Sequence, residues 1–207
     1  MRNRRFIVAL TGGLASGKSL ALKALRRAGA ATVALDEIAH EVARPGTAVF
    51  RRIVAAFGRG VLARKGGLDR RELARRVFAD PAARSRIERI THPAIRREMW
   101  RRVGRARGVV VVDVPLLFEK GKDSLAGRFD ATLLISTTRR LQIRRATARG
   151  MTKAQARERM AAQLPDAVKA ALADVVVRNT GTRKDFERLI TEYYKAFELI
   201  RRAEVDP

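Results

Sequence analysis

Gly12-Gly13-Leu14-Ala15-Ser16-Gly17-Lys18-Ser19 follows the apolar run Phe6-Ile7-Val8-Ala9-Leu10 and precedes Leu20-Ala21-Leu22-Lys23-Ala24-Leu25, a helical pattern ending near Gly29. The context is strand, glycine loop, helix, and the spacing fits the phosphate-binding pattern G-x-x-x-x-G-K-S. Glycines let the backbone curl so that successive N–H groups face phosphate oxygens. The helix that begins near Lys18 adds its positive dipole end. Lys18 is placed to reach the β- and γ-phosphates, and the Ser19 hydroxyl to bind Mg²⁺. The candidate nucleotide-binding residues are Gly13, Leu14, Ala15, Ser16, Gly17, Lys18, Ser19 and Leu20. The plain alternative is a glycine-rich turn.

The chain has 207 residues, enough for one domain with insertions. No apolar run reaches the length of a membrane span, and the short one after the basic start reads as a first strand rather than a signal peptide. Without cysteine, thiolate metal sites and disulfides are excluded, and only two histidines argue against a histidine-rich metal centre. A cytoplasmic protein is the simplest expectation. The net charge is +24, from 45 basic and 21 acidic residues. Such a field attracts polyanions. Aromatic residues are 5%, too few to offer a stacking surface for nucleic acid, and the arginines are spread along the chain. The charge therefore reads as solvated surface with a few arginines assigned to phosphates, not as a nucleic-acid platform.

Further on, apolar runs and helical patterns alternate. Ala31 to Leu35 reads as a second strand, and Asp36 starts a helix. Val49, Phe50, Ile53, Val54 and Phe57 form a helical stripe that Gly58 stops. Asp69 with Glu72 looks like a capping box, ahead of an apolar side made by Leu73, Val77 and Phe78. Asp80-Pro81 opens a helix to about Ile90; His92-Pro93 is expected to break it, with another helix from Ala94 to about Arg107. Val109 to Val114 is a β-branched run typical of a buried parallel strand. Ala131 to Ile135 and Val175 to Val177 read as further strands. Arg139 to Met160 is helical and broken at Gly150, and a last helix runs from Arg183 to about Arg201.

This alternation predicts an α/β fold: a P-loop three-layer parallel sheet with helices on both faces. The core is expected at about 1–35, 108–137 and 173–207. A helical substrate-binding insertion would span about 36–107, and an arginine-rich lid about 138–165.

Asp36 follows the second strand at the edge where the glycine loop opens. A carboxylate there could take a proton from an attacking hydroxyl, or simply cap the helix. Asp113 ends the valine strand, where an acid holds Mg²⁺ in P-loop folds or merely closes a turn. Arg145 and Arg149, four apart, would share a helix face and stabilise a transferring phosphoryl group, or belong to a solvated basic helix. His92 beside Pro93 reads as structural.

Taken together, these segments resemble the dephospho-CoA kinases over nearly the whole chain. The resemblance is carried by the glycine loop, Asp36-Glu37-Ile38-Ala39-His40 and Leu68-Asp69-Arg70-Arg71-Glu72-Leu73. It continues through Thr91-His92-Pro93-Ala94-Ile95, Val114-Pro115-Leu116-Leu117-Phe118-Glu119, Gln142-Ile143-Arg144-Arg145 with Arg149, Arg159 to Gln163, and Asn179-Thr180-Gly181. It implies transfer of the ATP γ-phosphate to the ribose 3′-hydroxyl of dephospho-CoA, with Mg²⁺, in the cytoplasm. It also implies Asp36 as base, and Arg145 and Arg149 as lid arginines. In three places the chain departs from the family pattern. Ala15 and Leu20 stand where the family has Gly and Thr, and Ala34-Leu35-Asp36 keeps only the second of two acids. Another small-molecule P-loop kinase, a GTP switch and a basic nucleic-acid-binding protein are the alternatives. The missing Asn-Lys-x-Asp loop argues against the switch.

Overall fold

The computed structural model describes residues 5–64, 66–119, 121 and 125–203. In chain order the elements are β1 (Phe6–Gly12), α1 (Lys18–Ala28), β2 (Ala31–Ala34), α2 (Leu35–Val42), α3 (Ala48–Phe57), α4 (Arg70–Ala79) and α5 (Pro81–Arg105). Then follow β3 (Val109–Asp113), β4 (Ala131–Ser136), α6 (Arg139–Thr147), α7 (Lys153–Ala161), α8 (Asp166–Leu172), β5 (Val175–Arg178) and α9 (Arg183–Ala203). The chain divides into two compact units: residues up to Val33 together with those from Arg105 on, and Ala34–Gly104.

The first unit is built on a sheet of order β2-β3-β1-β4-β5. β1 runs parallel to β3, with Leu10 opposite Asp113, and to β4, with Gly12 opposite Ile135. β5 extends the sheet in parallel beyond β4. Alternate residues Phe6, Val8, Leu10, Val109, Val111, Leu133 and Ile135 share one core with Ala21 and Leu25 of α1 and Phe186, Ile190 and Phe197 of α9. The residues between them, Ala9, Val110, Val112 and Leu134, are equally buried. Both sheet faces are covered, which is why the strands read as unbroken apolar runs. With β1 central and its neighbours parallel, the loops that leave β1, β3 and β4 emerge along one edge.

The second unit packs its helices around Ala43, Val49, Ile53 and Val61, with Leu73, Ile87, Ile90 and Ala94 against them. Thr47 caps α3 by accepting the Phe50 N–H at 3.1 Å. Asp69 caps α4, accepting the N–H groups of Arg71 and Glu72, each at 3.0 Å. The expected capping box is only half made. Glu72 turns to Arg75 and Arg76 instead, at 2.8 and 2.6 Å, and the two guanidiniums hold its carboxyl down at about 2. The Asp69 N–H bonds the Val61 carbonyl, so the cap is closed from the neighbouring chain segment. Phe78, expected on the apolar side of α4, is 88% exposed.

His92-Pro93 does not break the chain into two helices. α5 runs through it for 25 residues. Proline removes one backbone bond and crowds the preceding turn, at a cost of about 3 kcal/mol. Burial of Ile87, Ile90 and Ala94 on one stretch, and of Met99 and Val103 on the next, offsets that cost. Among the described residues, no helix is long and apolar enough to cross a membrane. Replacing Pro93 with Ala restores the missing donor. It should stabilise the protein by about 1–3 kcal/mol, read as a higher thermal unfolding midpoint. A lower midpoint would mean that α5 packs through a bend that Pro93 imposes.

Candidate active site

The glycine loop leaves β1 at Gly12 and enters α1 at Lys18, as its sequence predicts. Gly17 is left-handed, with φ 107°. Ala15 is also left-handed, with φ 53°, a conformation that costs a residue with a Cβ about 1–2 kcal/mol. Within the loop, Ser16 N–H bonds Gly13 O at 3.2 Å, and the N–H groups of Leu20 and Ala21 both bond Gly17 O. The N–H groups of Ala15, Gly17, Lys18 and Ser19 take no bond among the described residues. They are first-turn and loop donors of the kind that receive an anion. The Leu20 side chain packs on the core of the sheet.

Lys18 Nζ is ion-paired with Asp113 Oδ1. β3 brings the acid there because its last residue lies beside Leu10 of β1. Asp113 is 9% exposed, while Ser19 is exposed at the start of α1. A hydroxyl and a carboxylate are the hard oxygen donors that Mg²⁺ accepts, in small number, alongside phosphates and water. No group of three His, Cys, Asp or Glu that could hold a metal by itself occurs among the described residues.

Arg145 reaches the back of the same loop. Its Nη1 lies 3.4 Å from Ser16 O, and its Nη2 lies 3.2 Å from Asn179 O. Burial, and then the neighbouring Arg144 and Arg149, lower its pKa. Asn179 is buried and donates from Nδ2 to Ser16 O at 2.8 Å. Arg149 is exposed and lies past the end of α6, beyond its C-cap Ala148. α6 itself ends at Thr147, but Ala148 keeps a right-handed helical conformation, and Arg149 stands near enough to Arg145 to lower its pKa. Asp36 is exposed in the first turn of α2, whose N-cap is Ala34. It does not cap the helix as an N-cap, the alternative weighed for it.

Several neighbours of the loop were not singled out from sequence. Gln163, in the turn between α7 and α8, accepts the Leu14 N–H at 3.1 Å. Lys169 of α8 is 1% exposed. Its ammonium stands 3.2 Å from Glu119 Oε1 and 4.0 Å from Asp166 Oδ1, without hydrogen-bond alignment to either. Glu119, Gln142 and Gln163 lie in segments that carry the family resemblance. Lys169 gave no signal, because a single lysine in a short helix ordinarily reads as surface.

A strand–loop–helix with free amides, a lysine at its mouth and a strand-end acid defines a P-loop phosphoryl-transfer enzyme. The dephospho-CoA kinase family model matches residues 6–185. A dephospho-CoA kinase of Geobacter sulfurreducens is 42% identical over 193 residues, 91% of this chain and 96% of its own length. One from Frankia casuarinae is 42% identical over 192 residues, 92% of this chain and 82% of its own. The crystal structure of TT1252 from Thermus thermophilus matches with a TM-score of 0.80 and 32% identity, covering 93% of this chain and 98% of that one. The chain belongs to the dephospho-CoA kinase family.

Asp166 supplies a pH test. Burial pushes its carboxyl up, opposed by the Lys169 ammonium and a Thr137 backbone group, while Glu119 adds to the rise. The folded protein thus binds this proton more tightly than the unfolded chain does. The contribution to stability is full below the unfolded carboxylate pKa and is lost as pH rises through the raised folded value. Relative to the parent, Asp166→Asn should gain thermal stability as pH rises through that window. A difference that does not vary with pH would contradict the assignment.

Proposed function

We propose that the protein transfers the γ-phosphate of ATP to the ribose 3′-hydroxyl of dephospho-CoA, giving coenzyme A and ADP. The observation that carries this is the Lys18–Asp113 pair at the mouth of a loop with four free amides, in a chain of this family. The acceptor O–H gives its proton to the Asp36 carboxylate as the oxygen attacks the γ-phosphorus. The bond from the γ-phosphorus to the β–γ bridging oxygen breaks, and ADP leaves. The loop amides and Lys18 hold the β- and γ-phosphates and receive the growing charge. Arg145 and Arg149 supply further positive charge from the segment 138–165, which this reading treats as a lid over ATP.

Ser19 and Asp113 are the residues that would hold Mg²⁺, which neutralises phosphate charge when bound. Lys18 then exchanges Asp113 for phosphate oxygens. The reading places the enzyme in the cytoplasm and assigns it no nucleic-acid partner. A nucleic-acid role would require tight, salt-sensitive duplex binding without kinase activity.

The test is an assay of ADP release with ATP, Mg²⁺ and dephospho-CoA, set against adenosine and AMP as acceptors. Turnover is expected with dephospho-CoA alone. Turnover with AMP or adenosine would reassign the substrate. Lys18→Ala should lose transfer by at least about 100-fold while still folding, at a lower unfolding midpoint because the nearly buried Asp113 loses its cation. Near-normal turnover in that variant would remove the loop from the mechanism. Asp36→Asn should lower kcat by about 100-fold or more and leave ATP affinity within about threefold. An equal loss of both would give Asp36 a structural role.

A further inference from the structure

Residue 15 of the phosphate loop is an alanine held at φ 53°. A left-handed residue with a Cβ persists only where its surroundings fix it. One peptide upstream of the Leu14–Ala15 bond, the Gly13–Leu14 peptide is fixed from outside the loop: Leu14 N–H donates to Gln163 Oε1 at 3.1 Å. Gln163 is a firm anchor. Its own N–H bonds Met160 O at 3.2 Å, closing the end of α7, and Pro165 caps α8 two residues later. Gly13 is equally enclosed. A Cβ there would stand 2.7 Å from Nε2 of Gln142 and 2.9 Å from Oδ1 of Asp166. The start of the loop is thus braced by α6, by the turn after α7 and by α8. Only Gln163 takes a backbone donor of residues 13–15 in a hydrogen bond among the described residues.

We infer that Gln163 is a positioning residue for ATP binding, its side-chain carbonyl holding the Gly13–Leu14 peptide at the entry to the turn so that Ala15, one unit on, stays left-handed and the phosphate loop stays formed. The inference rests on the proposal that this loop holds the phosphates of ATP. Gln163 itself touches no reacting atom. A formed loop serves the ground state and the transition state alike, so losing the anchor raises KM for ATP with little change in kcat. Glycine at position 15 would carry no penalty at φ 53° and would need no anchor.

The experiment compares the parent, Gln163→Met, Ala15→Gly and the double variant, with ATP and dephospho-CoA as substrates. Methionine keeps the length and bulk of glutamine and removes the acceptor. Gln163→Met should raise KM for ATP by about three- to tenfold, the size of one net hydrogen bond. In the Ala15→Gly background the same change should cost less than about twofold, because the strained state no longer has to be held. Gln163→Glu keeps an acceptor oxygen and should stay nearer the parent than the Met variant. It also covers the case in which the Met variant unfolds.

An unchanged KM in Gln163→Met overturns the inference. So does an equal loss in the parent and in the Ala15→Gly background, which would mark a packing role, or an equal loss in the Glu and Met variants. Lys18→Ala separates this from the loop reading. If that variant is inactive while Gln163→Met is silent, only the anchor fails; if it stays active, the loop reading fails first.

Discussion

The side-chain amide of Asn179 occupies the space that a Cβ on Gly17 would need. From there it donates to Ser16 O, while Arg145 reaches both Ser16 O and the Asn179 carbonyl. The inner side of the loop is thereby held by residues that follow β5 and lie on α6. Its outer start is held by Gln163. A phosphate loop has its donors pointed at an anion that is absent for part of each cycle, so its shape must come from elsewhere. In this chain it comes from the segment between β4 and the turn after β5. That makes the order β3-β1-β4-β5 a functional constraint. β3 delivers Asp113 to Lys18 on one side of β1, and β4 and β5 deliver the braces on the other.

How much of this was legible depended on whether the signal was local. The parallel sheet was, because its strands are β-branched runs bounded by glycine, proline and helix caps. The loop was, because its chemistry requires a fixed spacing. α5 was misread at Pro93 because proline's local cost is certain, while its compensation by Ile87, Ile90 and Ala94 is tertiary. Phe78 was misread because helical spacing shows which residues share a face, not whether anything covers it. Around the loop, Lys18 and Asp113 could be named from their elements alone. Gln163, Asn179 and Lys169 make their contacts across the fold; in the sequence Gln163 drew notice only through the family resemblance, and Asn179 through that and as a turn residue. Ala15 was visible as a departure from the family pattern. Its left-handed backbone was not, because a φ angle is imposed by neighbours.

The charge of +24 is also more ordered than a list of arginines suggests. Glu72, Glu98 and Glu198 are each followed at the third and fourth positions by two arginines. Helical geometry brings both guanidiniums to one carboxylate: Arg75 and Arg76, Arg101 and Arg102, Arg201 and Arg202. The arginines hold Glu72 and Glu98 at about 2, so these acids remain charged through any physiological pH. Each fork still leaves one net positive charge on its helix. Where the arginine is exposed, as Arg75 and Arg202 are, such a pair adds little stability. The effect of the forks is to distribute positive charge over α4, α5 and α9 without leaving every arginine to repel its neighbours. ATP and dephospho-CoA are both polyanions, and a field spread in this way favours their approach from many directions. The charge that acts at short range, on Lys18 and Arg145, is instead placed by the sheet and its loops.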